Sequence, residues 1–164
     1  MALEDISILV VEDTLPMLSM ICSTLNILGV RSVYRAKNGE EGFEEFVRKT
    51  PDIVITDWLM EPVNGLELIK KIRTDSRSPY KTVPIIMITG YSALKRVQQA
   101  RDYGVTEFLV KPFTANAIAT RLNHIIDRPR GFVEAEDYFG PDRRRKREED
   151  YTGPLRRGAS RQPR

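Results

Sequence analysis

Short apolar runs alternate five times with stretches of helical spacing, and this alternation limits the possible folds more than any other feature of the chain. Several runs, such as Ile85–Ile88, are apolar on both faces, as central parallel strands covered by helices must be. The predicted strands span residues 6–11, 31–36, 52–57, 83–89 and 106–110. The predicted helices span roughly 15–28, 39–48, 65–74, 92–103 and 114–127. Right-handed crossovers then predict an α/β fold with a doubly wound, five-stranded parallel sheet flanked by five helices.

The pattern stops near Arg128. Beyond it, glycine and proline punctuate a stretch that is rich in charge and poor in aliphatic residues, and such a stretch buries too little to offset its chain entropy. We therefore expect residues 1–128 to form one domain and residues 129–164 to form a charged, disordered tail. Within the tail, Tyr138–Arg144 resembles Tyr151–Arg157, which fits either a docking element used twice or a chance repeat.

The net charge of +3 and the pI of 9.1 come mostly from the tail. Residues 131–164 hold nine Lys/Arg and seven Asp/Glu, which leaves 17 and 16 for residues 1–130. The apolar runs are too short to span a membrane, and the N-terminus is acidic where a secretory signal would be basic. We therefore expect a cytoplasmic protein without a membrane partner. The one cysteine, Cys22, falls on an apolar helical stripe and is expected to be buried.

Five polar residues mark the carboxyl ends of the predicted strands. Glu12 and Asp13 close the first strand, Asp57 the third, Thr89 the fourth and Lys111 the fifth. Parallel strands bring these groups to one edge of the sheet, where a doubly wound fold places its sites. Three converging carboxylates repel one another, and Mg²⁺ relieves the repulsion by taking oxygen ligands.

The lysine and threonine suggest what such a site is for. A phosphoryl group on a carboxylate carries charge on three oxygens, which a cation, an ammonium and a hydroxyl can stabilise. Mg²⁺, Lys111 and Thr89 would supply these groups to Asp57. Each residue alone also fits a solvated loop, a cap or a strand exit, so the prediction depends on their joint arrangement.

These residues lie in motifs that resemble the receiver domain of two-component response regulators, the superfamily of the chemotaxis regulator. The matching motifs, over about residues 5–127, are Val10–Asp13, Asp57–Met60 with Gly65, Ile88–Gly90 and Glu107–Phe113. The chain also resembles alphaproteobacterial stand-alone regulators with similar tails. The resemblance implies a flavodoxin-like sheet of order 2-1-3-4-5.

The resemblance also implies a role for each site residue. Asp57 would accept phosphate from a sensor histidine kinase or a phosphotransfer protein. Thr89 and Phe108 would be the switch residues, and the Lys111–Pro112 bond would be cis. Only self-phosphorylation and autodephosphorylation, not enzymatic turnover of other substrates, would be expected. The metal ligands would be Glu12, Asp13, Asp57 and the backbone carbonyl of Leu59.

The output of the switch is open to two hypotheses. The first is a stand-alone module, monomeric or dimerising on phosphorylation, whose 92–127 face binds a protein partner. The second is nucleic-acid binding through the basic run Arg143–Arg147, which would attract phosphates without reading sequence. The acids of 148–150 follow that run directly, so we favour the protein partner.

A third hypothesis is a phosphatase or nuclease that uses the same acids. Haloacid-dehalogenase-like phosphatases need a second Asp two residues after the nucleophile, and here that residue is Leu59. The one histidine, His124, lies off the apolar stripe of its helix and is expected at the surface. We therefore do not expect an enzyme of this kind.

Overall fold

The computed structural model describes residues 2–90 and 94–143 of the chain. A short 3₁₀ turn at Leu3–Asp5 precedes the regular elements. The strands are β1 (Ser7–Val11), β2 (Ser32–Ala36), β3 (Ile53–Asp57), β4 (Ile85–Thr89), β5 (Glu107–Val110), β6 (Phe132–Ala135) and β7 (Tyr138–Pro141). The helices are α1 (Leu15–Ile27), α2 (Gly39–Lys49), α3 (Gly65–Thr74), α4 (Leu94–Asp102) and α5 (Ala115–Asp127).

The first five strands form one parallel sheet in the order β2-β1-β3-β4-β5. The fold class predicted from the sequence and the strand order implied by the resemblance are both confirmed. The register places Asp57 beside Ile88 and Thr89 beside Val110, so the carboxyl ends of β3, β4 and β5 lie at one edge. This edge carries the polar residues that the sequence analysis singled out.

The sheet is covered by a hydrophobic core on each face. One core contains α1 and α5 residues such as Ile21 and Leu122, packed on Ile8, Val10 and Ile55. The other contains α2 and α3 residues packed on the alternate side chains of the same strands. All five residues of β3 and of β4 are buried, which explains why these strands read as continuous apolar runs.

Helix ends follow the capping residues in the sequence. The Asn38 side chain accepts a hydrogen bond from the amide of Glu41 and caps α2. Gly29 and Gly104, which follow the ends of α1 and α4, have φ values of 102° and 89°, which favour glycine. Asn64 and Glu67 form a capping box at the start of α3, directly after the loop that follows Asp57.

The expectation of a disordered segment from residue 129 is wrong for residues 132–141. These residues form an antiparallel hairpin, β6 and β7, with Phe132 opposite Pro141 and Ala135 opposite Tyr138. Its stability comes from long-range contacts, and these leave no periodic signal in a polar sequence. The second copy of the tail repeat and residues 144–147 of the basic run lie outside the described residues.

Predictions about Cys22, His124 and the Lys111–Pro112 bond are confirmed. Cys22 is fully buried and His124 is exposed, both as predicted. The Lys111–Pro112 peptide bond is cis, as the resemblance implied. Across the described ranges, 2–90 and 94–143, no helix combines the length and apolar character needed to cross a bilayer.

Candidate functional site

Asp57 ends β3 and is at the centre of a polar cluster. Asp57 is only 6% exposed, and its Oδ1 accepts a hydrogen bond of 2.9 Å from the amide of Trp58. Burial raises the pKa of Asp57, and the nearby Lys111 ammonium opposes this rise. The site therefore holds a desolvated carboxylate beside a fixed cation, an arrangement that favours reaction of the carboxylate with an electrophile.

Lys111 connects two of the carboxylates. Its Nζ lies 3.2 Å from Oδ1 of Asp57 and 3.9 Å from Oε2 of Glu12. The Lys111 amide donates a 2.8 Å hydrogen bond to the carbonyl of Thr89, which fixes the backbone of the lysine beside the end of β4. The structure thus brings together the lysine and the carboxylates that the sequence placed at separate strand ends.

Glu12 and Asp13 follow β1 on the same edge. Glu12 is fully buried, and burial raises the pKa of its carboxyl, although the amide of Thr14 donates a 3.1 Å hydrogen bond to its Oε1. Asp13 is exposed. One carboxylate oxygen from each of Glu12, Asp13 and Asp57 lies within 4.8 Å of the other two.

This cluster fits a divalent cation of the Mg²⁺ type. Oε2 of Glu12 is buried and has no hydrogen-bond partner among residues 2–90 and 94–143, so a carboxylate oxygen is left for another ligand. All the donor atoms are hard oxygens, which Mg²⁺ prefers over nitrogen or sulfur. Leu59 follows Asp57 by two residues in the adjoining bend, and the role of its carbonyl as a ligand stays a prediction.

The two predicted switch residues are in β4 and β5. Thr89 is buried at the end of β4, and its hydroxyl donates a 3.2 Å hydrogen bond to the carbonyl of Gly90. Phe108 in β5 is half-buried against the α2–α3 core, and its carbonyl accepts a 2.8 Å hydrogen bond from Nε of Arg121. Strands β4 and β5 are hydrogen-bonded to each other, so movement of one strand displaces the other.

Residues that sequence reasoning did not assign also shape the site. The Trp58 amide bonds to Asp57, and the Gly65 amide donates a 2.9 Å hydrogen bond to the carbonyl of Trp58, closing the loop between β3 and α3. A Cβ on Gly65 would clash with the backbone oxygen of Asp57. The sequence does contain a signal for this contact, which is a glycine directly after the helix-capping Asn64. A close approach of two backbone segments requires glycine.

Comparison with known families gives one match over most of the chain. The response regulator receiver domain family matches residues 8–123. The matched segment contains all five of the polar residues that meet at the sheet edge. It ends before the hairpin of β6 and β7.

Individual relatives agree with this match. The chain is 39% identical over 120 residues to chemotaxis protein CheY1 of Helicobacter pylori, covering 73% of this chain and 95% of that protein. It is 37% identical over 131 residues to the chemotaxis protein CheY homolog of Campylobacter jejuni, covering 79% and 98%. Among solved structures, chemotaxis response regulator CheY4 of Vibrio cholerae superimposes with a TM-score of 0.67 at 29% identity, covering 73% of this chain and 98% of the other.

Proposed function

The chain belongs to the response regulator receiver domain family, a family of phosphorylation-dependent signalling switches, and on this premise we propose that Asp57 is its phosphoacceptor. The observation that carries the proposal is the Lys111 ammonium 3.2 Å from Oδ1 of a buried Asp57. This cation would stabilise the negative charge of a phosphoryl group attached there. A sensor histidine kinase or a phosphotransfer protein would be the donor.

The chemistry proposed is transfer of a phosphoryl group to a carboxylate. A carboxylate oxygen of Asp57 attacks the phosphorus of a phosphohistidine, the P–N bond breaks as the O–P bond forms, and the leaving imidazole takes up a proton. Lys111 neutralises charge on the transferred group, and the Thr89 hydroxyl can turn from the Gly90 carbonyl to a phosphoryl oxygen. The fixed position of Lys111 means that little reorganisation is needed during transfer.

Mg²⁺ is the proposed cofactor. Glu12, Asp13, Asp57 and the backbone carbonyl of Leu59 would hold it, and when bound it would supply positive charge to the phosphoryl oxygens. The orphaned Oε2 of Glu12 supports this proposal.

We propose that the switch acts in the cytoplasm through protein contact. Movement of Thr89 and Phe108 would alter the 92–127 face, which would then bind a downstream partner or a second copy of the chain. Two of the relatives are named chemotaxis proteins, and this supports a downstream partner in chemotaxis signalling. Arg143, the described residue of the basic run, is paired with Asp102 at 2.7 Å, so nucleic-acid binding gains no support from it.

The test is Mg²⁺-dependent labelling of the purified full chain with acetyl phosphate, followed by intact-mass spectrometry. Wild type should gain one phosphoryl group only when Mg²⁺ is present, and Asp57→Asn should gain none. The matched control is Asp52→Asn at the opposite end of β3, where the carboxylate instead bonds Ser7, and this variant should label like wild type. Labelling of Asp57→Asn at the wild-type level would refute the proposal.

A further inference from the structure

Residues 130–143, the hairpin segment, lie beyond the part of the chain that the receiver family matches. The segment packs against the end of α4 and the start of β5 through two ion pairs. Arg143 Nη2 lies 2.7 Å from Oδ1 of Asp102, and Arg130 Nη2 lies 3.3 Å from Oε1 of Glu107. These pairs are partly solvated and contribute little energy alone, but they fix where the segment sits.

Tighter contact occurs where two glycines meet. A Cβ added to Gly140 in β7 would lie 2.5 Å from the Tyr138 hydroxyl of the same hairpin and 2.8 Å from Cα of Gly104, and one added to Gly104 would lie 3.0 Å from the carbonyl oxygen of Phe139. The hairpin therefore rests backbone against backbone on the loop between α4 and β5. Such an approach tolerates no side chain, so it indicates a docked position and not a loose extension.

Arg73 holds the same loop from inside the domain. Its Nη2 donates a 2.8 Å hydrogen bond to the carbonyl of Gly104, and its guanidinium lies 4.9 Å from the ring centre of Phe132 in β6. One buried cation thus contacts both the receiver loop and the hairpin segment. The loop is held on one side by the receiver core and on the other by the hairpin.

The docked segment borders the switch aromatic. A groove of about 130 Å³ separates the hairpin segment from β5, and its lining includes Phe108, Tyr138 and Pro141. Glu107, the residue before Phe108, is the partner of Arg130. The segment therefore covers part of the 92–127 face and contacts Asp102 and Glu107, on either side of the loop between α4 and β5.

The Thr89 hydroxyl has no contact with a phosphoryl group in the structure, which has the hairpin segment docked. With the hairpin segment docked, this hydroxyl is bonded to the carbonyl of Gly90, and engaging a phosphoryl group requires that bond to break. Thr89 is paired in the sheet with Val110 of β5, the strand that the segment borders. Docking of the segment thus accompanies the arrangement of β4 and β5 in which Thr89 is turned to Gly90.

We propose that the hairpin segment is an internal ligand of the α4–β5 surface, which opposes activation at Asp57 and must leave that surface before an outside partner can occupy it. This inference rests on the proposed function, because it requires Asp57 to be the activated residue. Coupling between two sites is reciprocal, so undocking the segment must strengthen binding of an activating group at Asp57 by the same factor.

The experiment measures that factor in the full chain. Beryllofluoride with Mg²⁺ serves as the phosphoryl mimic, and the fluorescence of Trp58, the one tryptophan and a neighbour of Asp57, reports its binding. Gly140→Ala should undock the hairpin and lower the half-saturating beryllofluoride concentration by about fivefold or more. Gly131→Ala is the matched control, because a Cβ there meets nothing within 4 Å, and it should leave the concentration unchanged.

A charge reversal gives a second, independent arm. Asp102→Arg should repel Arg143 and lower the half-saturating concentration in the same direction, and the double change Asp102→Arg with Arg143→Asp should restore it. Amide hydrogen exchange over residues 132–141 reports undocking directly in every variant. Faster exchange with an unchanged or raised half-saturating concentration overturns the inference, and so does exchange that stays slow in both undocking variants.

The two proposals fail differently in this experiment. If beryllofluoride gives no Mg²⁺-dependent change even in wild type, the proposed function itself fails. If wild type responds but the undocked variants respond with the same half-saturating concentration, the proposed function stands and the internal-ligand proposal is lost.

Discussion

The ammonium of Lys111 lies 3.2 Å from Oδ1 of Asp57 and is also 3.9 Å from Oε2 of Glu12. The lysine therefore occupies part of the space in which the three carboxylates of the cluster converge. It can neutralise a phosphoryl group, but it also repels any divalent cation held by the same acids. Lys111 therefore favours phosphorylation of Asp57 and disfavours metal binding, and these two effects can be measured separately.

Replacing Lys111 with methionine should separate metal binding from phosphorylation. Mg²⁺ should bind about fivefold more tightly, since removing a nearby like charge is worth ~1 kcal/mol at a partly solvated site. Labelling by acetyl phosphate at saturating Mg²⁺ should slow about 100-fold, because one donor to the developing charge is lost. Trp58 fluorescence measures the first effect and intact-mass time courses the second. Lys70→Met, on the exposed face of α3, is the charge-matched control, and parallel losses of both properties would contradict the expectation.

Asp57→Asn should stabilise the metal-free protein at neutral pH. Burial raises the pKa of Asp57 above its ordinary value of 3.8, so the folded state binds this proton more tightly than the unfolded chain does. The ionised carboxylate thus costs stability above its folded-state pKa, and the cost fades as the pH falls toward 3.8. The asparagine variant, which has no such charge, should melt about 2–4 °C higher at pH 7, or ~1 kcal/mol for a domain of this size.

The measurement is thermal unfolding with a chelator present, repeated from pH 7 down to pH 4. The gain in melting temperature should shrink over that range. A lower melting temperature for Asp57→Asn at pH 7 would mean that the pair with Lys111 outweighs the burial of the carboxylate.

Much of the site could be predicted because its residues stand at strand ends. Apolar runs such as Ile85–Ile88 locate a buried strand, and the next polar residue, here Thr89, must lie where the strand leaves the sheet. Parallel pairing then collects these residues at one edge without any knowledge of side-chain contacts. Distances such as that between Lys111 and Glu12 depend on rotamers, and no sequence pattern specifies those.

The hairpin of β6 and β7 could not be predicted in the same way. Its strands are four residues each, and they contain charge, glycine and proline where strand patterns need alternating apolar residues. What holds them is the packing of Gly140 on Gly104 and of Phe132 on Arg73. Such long-range contacts override local propensity, and they become visible only once the rest of the fold is in place.

Gly65→Ala should damage both the fold and the site. The added Cβ would meet the carbonyl oxygen of Asp57, which belongs to the backbone and cannot turn aside as a side chain could. Overpacking of this kind costs about 1–3 kcal/mol, and the shift it forces falls on the phosphoacceptor itself. Urea unfolding should show the lost stability, and the Trp58 response to Mg²⁺ should weaken. Gly131→Ala, where the same methyl enters open space, should stay within about 0.5 kcal/mol of wild type.

We expect the hydrogen-bond donors of the Arg73 guanidinium to contribute more to stability than its charge does. It is 4% exposed, and it donates hydrogen bonds to the carbonyls of Lys81, Val83 and Gly104 at 2.6, 2.8 and 2.8 Å. Burial lowers the pKa of Arg73 to about 9, so the side chain still carries its charge at pH 7. Methionine fills a similar volume but leaves these carbonyls without a donor. We expect Arg73→Met to lower the free energy of unfolding by about 3–5 kcal/mol.

Arg73→Lys separates charge from geometry. The lysine variant keeps the charge, but one ammonium cannot donate hydrogen bonds to all three carbonyls as the guanidinium does. Its free energy of unfolding should therefore fall by about 2 kcal/mol. In urea unfolding, wild type should be the most stable, the lysine variant intermediate and the methionine variant the least stable. Amide exchange over residues 132–141 should become faster from wild type to lysine to methionine, because Phe132 loses the stacked guanidinium. A methionine variant as stable as wild type would mean that water satisfies the freed carbonyls, and the Arg73 contacts would then not account for the placement of the loop at Gly104.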